Sequence, residues 1–188
     1  MVRIDTVVTR GGDGGETSLG DGTRLAKDAP RIEAIGAVDE ANAAIGLLRL
    51  HTRGDAGTDA MLARVQNDLF DLGADLCVPG EGDGGRLRLT DAPVARLEAE
   101  VAAINATLPP LSSFVLPGGS AGAAQAHLAR TAVRRTERCV VRLTSAEAVN
   151  PALLRYLNRL SDHLFVLARL LNDHGAADVL WVPGANRL

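Results

Sequence analysis

The chain has 188 residues, 46% of them hydrophobic and 23% charged, with a formal net charge of −3, which suits one well-buried domain and gives no bulk electrostatic drive toward nucleic acid. No stretch approaches the length of a membrane-spanning helix, and Arg3, Asp5, Arg10 and Asp13 occupy the region where a signal peptide needs an apolar run. A cytoplasmic protein with no membrane or nucleic-acid partner is expected.

The first feature in chain order is "TRGGDGGETSLGDG" at 9–22, a glycine-rich stretch ahead of any apolar periodicity. Such a stretch is either a mobile leader or a backbone nest, in which amides approach an anion closely while Thr and Ser add hydroxyls. It is not a P-loop: GxxxxGK[ST] lacks its lysine, and no strand–GxGxxG–helix arrangement follows.

The body reads as helices. Ile35, Val38, Asn42, Ile45 and Leu48 form one stripe over about 31–49, in which Asn42 needs a hydrogen-bond partner from a neighbouring helix or backbone. Met61, Leu62, Val65, Leu69, Leu72 and Leu76 repeat the period over about 58–76, and Pro79 with Gly80 ends it. "PGEGDGGRLRL" at 79–89 reads as a flexible loop without a motif. Thr90 or Asp91 can cap a third helix carrying Val94, Leu97, Val101 and Ile104 until Pro109 and Pro110 stop it. A short apolar run and turn at 112–122 lead into a fourth helix over about 120–144, then a fifth over about 151–173, and the tail 178–184 reads as extended or coil. The result is an all-α fold, a five-helix antiparallel, up-and-down bundle with an N-terminal Gly-rich loop. Aromatics number only five, so Leu, Val, Ile and Ala must fill the core.

Cys77 and Cys139 read as reduced apolar fillers, and His51, His127, His163 and His174 form neither an HxxxH nor an ExxH pair. Polarity is out of place in two helices. Arg130, Arg134, Arg138 and Arg142 recur at spacings of four, with Glu137 beside them and Arg135 about a hundred degrees away. Like charges at this spacing repel, so the ridge is either a solvated face bridged to nearby carboxylates or a polyphosphate site of bidentate guanidinium groups. In the fifth helix Asn158 and Asp162, four apart, are either a boundary polar pair or a pair in which the amide serves phosphate or its magnesium and the carboxylate orients an arginine.

Five blocks in order, "TRGGDGGETSL", "GAVDEANAAIG", "QNDLFDLGADL", "FVLPGG" with "RTAVRRTER", and "YLNRLSDHLF", resemble the PduO-type ATP:cob(I)alamin adenosyltransferases from Thr9 to Trp181. The resemblance implies one adenosyltransferase domain over 1–188, with an ATP loop at about 9–27 and a bundle at about 31–175. It implies a homotrimer with ATP, magnesium and cob(I)alamin bound between subunits, and the N-terminal loop folded over the triphosphate. By the same resemblance Thr9, Arg10, Gly11, Gly12, Thr17, Ser18 and Lys27 contact the nucleotide, together with Arg134, Arg135, Glu137, Arg138 and Asn158, the last near magnesium. Asp39 and Arg130 look like the family's intersubunit ion pair, and Phe114 like the aromatic that crowds the lower face of the corrin. A cob(II)alamin reductase and an adenosylcobalamin-dependent mutase are the partners it suggests. Two positions depart from the family pattern: Gly11 stands where a hydroxyl residue is common, and Ala41 where leucine is usual.

Overall fold

The computed structural model describes residues 5–80 and 85–187. Five helices carry the fold: α1 (Pro30–Arg49), α2 (Ala56–Leu76), α3 (Ala92–Asn105), α4 (Ala121–Thr144) and α5 (Pro151–Leu170). Their starts follow local chemistry. Pro30 and Pro151 stand at the first turns of α1 and α5, Asp55 accepts from the amides of Gly57 and Thr58 at 3.0 and 3.2 Å, and Ser120 Oγ accepts from Ala123 N at 3.1 Å. Asp91 holds the expected N-cap position of α3, but its carboxylate pairs with Arg155 instead of capping. The fifth helix ends at Leu170, short of the expected 173, because Asp173 and His174 turn left-handed (φ 55° and 50°) ahead of Gly175.

The helices alternate in direction along the chain. Arg49 at the end of α1 meets Asp59 at the start of α2, and Glu33 near the start of α1 meets Arg135 in the second half of α4. An odd count leaves one parallel neighbour pair, α3 with α5, joined in register by Asp91–Arg155 and Glu98–Arg159. The apolar stripes meet in one core that includes Ile45, Leu69, Leu97, Val133, Leu157 and Leu164, all fully enclosed. Asn42 finds the backbone partner expected of it: its Nδ2 donates to Gln66 O at 3.2 Å, and Gln66 Nε2 donates back to Asn42 O.

The Gly-rich stretch is partly ordered, against the mobile-leader reading. Two short antiparallel strands, β1 (Glu16–Ser18) and β2 (Arg24–Ala26), form a hairpin closed by Leu19 N donating to Thr23 O at 2.8 Å. Leu19 is buried, and Gly20 N donates to Cys77 O at 2.9 Å, which pins the hairpin to the end of α2. Part of the expected flexible loop, 81–84, lies outside the described residues. Further along, the tail returns across 113–116: Val115 and Leu180 form an isolated antiparallel bridge.

Candidate functional site

The N-terminal group is built on the hairpin. Arg10 adopts φ 58°, a conformation that costs a non-glycine residue about 1 kcal/mol or more and persists only when its surroundings fix it. What fixes it is a run of turns: Asp13 N donates to Arg10 O, Gly15 N to Gly12 O, and Lys27 N to Gly15 O. The amides of Gly11, Gly12 and Gly14 donate to no group among the described residues. The Lys27 ammonium lies beside Gly12, so close that a Cβ at residue 12 would come within 3.0 Å of Nζ. At residue 11 a Cβ would meet only Thr9 Oγ1, at 3.7 Å, so the glycine found there is not sterically required. Sequence reasoning missed Arg24, whose Nη2 donates to Gly11 O at 2.9 Å and Nη1 to Ser18 Oγ at 3.2 Å. It buttresses Ser18 and Gly11, and its position opposite Ser18 in the hairpin was hidden until the strands were paired.

The arginines of α4 divide in two. Arg135, which lies off the ridge, is committed to carboxylates of α1, Glu33 and Glu40. Arg134, Arg138 and Arg142 are exposed and make no ion pair among the described residues; Arg138 Nη1 donates only to Arg134 O. Asn158 and Asp162 do not bond each other. Asn158 Nδ2 donates to Glu137 Oε1 at 3.1 Å across α4 and α5, and Asp162 Oδ2 accepts from Arg159 Nη1 at 2.5 Å. With its Nδ2 committed to Glu137, Asn158 keeps its amide oxygen, beside one carboxylate, as a hard ligand.

One turn earlier on α4, Arg130 borders a cleft of about 690 Å³ walled by Phe114, Phe165 and Trp181. Phe114 is 77% exposed, and its ring meets Trp181 at 6.0 Å between centroids in a tilted pair. Behind the cleft the buried His127 contacts Phe165. Burial, then the charge of Arg134, lowers the pKa of Arg130, and its buried Nε has no hydrogen-bond partner among the described residues. An unpartnered guanidinium nitrogen beside an aromatic cleft is a donor in want of an anion.

Asp39 lies elsewhere, on an exposed edge of an apolar groove of about 460 Å³ between α1 and α2, beside Ile35, Leu69 and the 72%-exposed Phe70. Within one chain, then, the expected site residues fall into three places: the hairpin with Lys27, the α4 face with Asn158 and the cleft, and Asp39. No hydrogen bond or ion pair among the described residues joins the hairpin to Arg134 or Arg138, or Asp39 to Arg130.

Two elements of the cleft have no counterpart among the expected site residues, Trp181 and Phe165. The signal for both was present, since the chain has few aromatics and a single tryptophan, but neither sits in an apolar stripe that assigns it a wall. Among the described residues no group of three His, Cys, Asp or Glu side chains comes together, and no helix is long and apolar enough to cross a membrane.

Residues 7–171 match the family described as cobalamin adenosyltransferase. A cobalamin adenosyltransferase of Cupriavidus metallidurans is 52% identical over 181 residues, covering 95% of each chain. A corrinoid adenosyltransferase of Mycobacterium tuberculosis is 46% identical over 190 residues, covering 99% of this chain and 97% of the relative. Among solved structures, a variant of the PduO-type ATP:corrinoid adenosyltransferase from Lactobacillus reuteri, complexed with cobalamin and ATP, has a TM-score of 0.87 at 33% identity, covering 94% of this chain and 99% of that one.

Proposed function

The chain belongs to the cobalamin adenosyltransferase family, and on that premise we propose that it transfers the 5′-deoxyadenosyl group of ATP to cob(I)alamin, yielding adenosylcobalamin and triphosphate. The observation that carries this reading is the aromatic cleft ending at Arg130, one helical turn from the exposed guanidinium of Arg134. A flat apolar macrocycle and a polyanion thereby find matching walls on adjacent turns of one helix.

In the reaction the Co(I) electron pair attacks C5′ of the ribose, the C5′–O bond breaks, and triphosphate leaves with that bond pair. The protein's part is position and charge. Arg134 and Arg138 from the ridge, with Lys27 and the amides of Gly11 and Gly12 from the loop, stabilise the charge that grows on the leaving oxygen and its phosphates. A well-placed donor of this kind contributes about 3 kcal/mol in other enzymes. Thr9, Arg10, Thr17 and Ser18 complete the nucleotide loop, while Arg135, held by Glu33 and Glu40, keeps α4 seated on α1. Glu137 and Asn158 offer one carboxylate and one amide oxygen, too few for a protein-built magnesium cage but suited to an ion that arrives on the phosphates with its waters. Phe114, exposed at the cleft, would pack against the corrinoid there, and an apolar ring that kept a ligand away from cobalt would ease the reduction that yields Co(I).

That no hydrogen bond or ion pair among the described residues joins the hairpin to Arg134 or Arg138 within one chain fits a site completed by a second copy. Asp39, beside the apolar groove, is the anion that the unpartnered Arg130 Nε lacks, supplied by a neighbouring subunit of a homotrimer. We take 1–188 as one adenosyltransferase domain working in the cytoplasm, with a reductase supplying Co(I) and an adenosylcobalamin-dependent mutase taking the product.

The test is anaerobic absorbance with chemically reduced cobalamin, magnesium and ATP. Conversion of the Co(I) spectrum to that of the alkylated cofactor, dependent on protein and ATP and with triphosphate as co-product, is expected. ATP binding without conversion would move the reading to an ATP sensor or corrinoid carrier.

A further inference from the structure

Phe114 projects from a segment without helix or strand, 109–120, between α3 and α4, and that segment is held by groups remote in sequence. At the start, Pro109 O accepts from Arg169 Nη2 at 2.8 Å. At the end, Ser120 N donates to Asn172 Oδ1 at 3.2 Å, and Gly119, at φ +100°, passes so near that a Cβ there would lie 2.2 Å from the same oxygen. In the middle the returning tail forms a strap: Leu116 N donates to Val179 O, Trp181 N donates to Phe114 O at 2.7 Å, and Ser113 Oγ donates to Trp181 O.

These ties converge on one carboxylate at the root of the strap. Asp178 Oδ2 accepts from Arg169 Nε at 2.7 Å, and Asp178 Oδ1 accepts from Asn172 Nδ2 at 3.0 Å. The Arg169 and Asp178 side chains are each 4% exposed, so the pair is screened from water on the inner side of the strap. Arg169 and Asn172 stand three apart at the end of α5, on one face, and they are the two side chains that hold the start and end of the Phe114 segment. A carboxylate can serve both, because it offers an acceptor to each donor; an amide at this position would turn an N–H toward one of them.

We propose that Asp178 is a positioning residue for the corrinoid substrate: by clamping Arg169 and Asn172 it fixes the strap, and the strap fixes the Phe114 and Trp181 rings at the cleft. This rests on the reading that the cleft takes the corrinoid. Asp178 makes no contact with Arg134, Glu137, Asn158 or the hairpin among the described residues, so its effect falls on one substrate and not on ATP.

The experiment compares the full-length wild type with Asp178→Asn, Asn172→Ala and Phe114→Ala in the anaerobic assay, alongside far-UV circular dichroism and acrylamide quenching of Trp181, the only tryptophan in the chain. For Asp178→Asn the expected result is a KM for cob(I)alamin raised at least about tenfold, a KM for ATP within about twofold of wild type, and stronger quenching of Trp181. A parallel rise in both KM values would reduce Asp178 to general structural support and overturn the proposal. So would a loosened Trp181 with an unchanged cob(I)alamin KM. If Asp178→Asn loses its helical signal, Asn172→Ala decides by the same split, because it keeps the Arg169–Asp178 pair and strands no buried charge. Phe114→Ala separates the two layers. Altered cob(I)alamin kinetics there, with none in a folded clamp variant, sinks the clamp alone; unaltered kinetics in Phe114→Ala removes the premise and the clamp's role together.

Discussion

Tyr156 donates its phenolic proton to Asp68 at 2.8 Å in the closed interior of the bundle, and the same carboxylate oxygen meets Arg96. One acid thus ties α2 to both α3 and α5. Burial pushes the Asp68 carboxyl above its usual range, with the Tyr156 hydrogen bond and Arg96 pulling it back, and burial with Asp68 beside it pushes the Tyr156 phenol far up. A raised aspartate binds its proton more tightly in the folded chain, so its contribution to stability is present at low pH and is lost as pH rises through the folded value. Tyr156→Phe removes a counterweight and raises that value further. We expect the substitution to cost about 1–3 kcal/mol in urea unfolding, and to cost more at pH 7 than at pH 4. An equal loss at both would take Asp68 out of the account.

Arg134→Lys keeps the charge on the ridge but loses the planar fork that engages two phosphate oxygens at once. Arg134 is exposed and makes no ion pair among the described residues, so the fold has no stake in it. Turnover is expected to fall by about tenfold or more while the assembly and the melting temperature stay as in the wild type. Wild-type turnover in the variant would take Arg134 out of the site.

Helix positions were legible because the stripes of α1 to α5 are long and periodic; the Asp55 cap, which starts α2 at Ala56 and not at about 58, was not read. The hairpin was not: Glu16–Ser18 and Arg24–Ala26 are too short for a period to show, and their pairing depends on a turn and on the Gly20–Cys77 contact, which is remote in sequence. The arginines of α4 could be read, but not how they divide, since only the packing of α1 shows that Glu33 and Glu40 claim Arg135 and leave Arg134. Phe114 came from a resemblance of motif, whereas Trp181 and the Asp178 clamp required the tail to fold back over residues that precede it by about sixty positions. Pairing of that kind leaves no periodic trace.

Asp39 sits exposed beside an apolar groove, with no ion pair among the described residues, while Arg130 holds a buried nitrogen without a partner. If the two meet across subunits, Asp39→Asn leaves a partly desolvated guanidinium unpaired at the wall of the site. ATP affinity by calorimetry is then expected to weaken by about tenfold, with little change in the stability of the bundle itself. Unchanged affinity would place Asp39 outside the nucleotide site and leave its role to the groove alone.

His127 supplies a pH signal close to the cleft. Its ring is buried, its Nδ1 has no partner among the described residues, and it rests against Phe165. Burial, then the charge of Arg130, holds its pKa below the ordinary histidine value, with Asp178 acting weakly in the other direction. The unfolded chain therefore takes up a proton near pH ~6.5 that the folded chain still refuses. The stabilisation is complete above that pH and is lost as pH falls through the folded value. Melting temperatures measured from pH 8 to pH 5 should decline on the acid side in the wild type and decline less in His127→Gln, which cannot be charged. Matching profiles would mean that the native ring takes up its proton as readily as the unfolded one, and the apolar wall behind Phe165 would then be wetter than its packing implies.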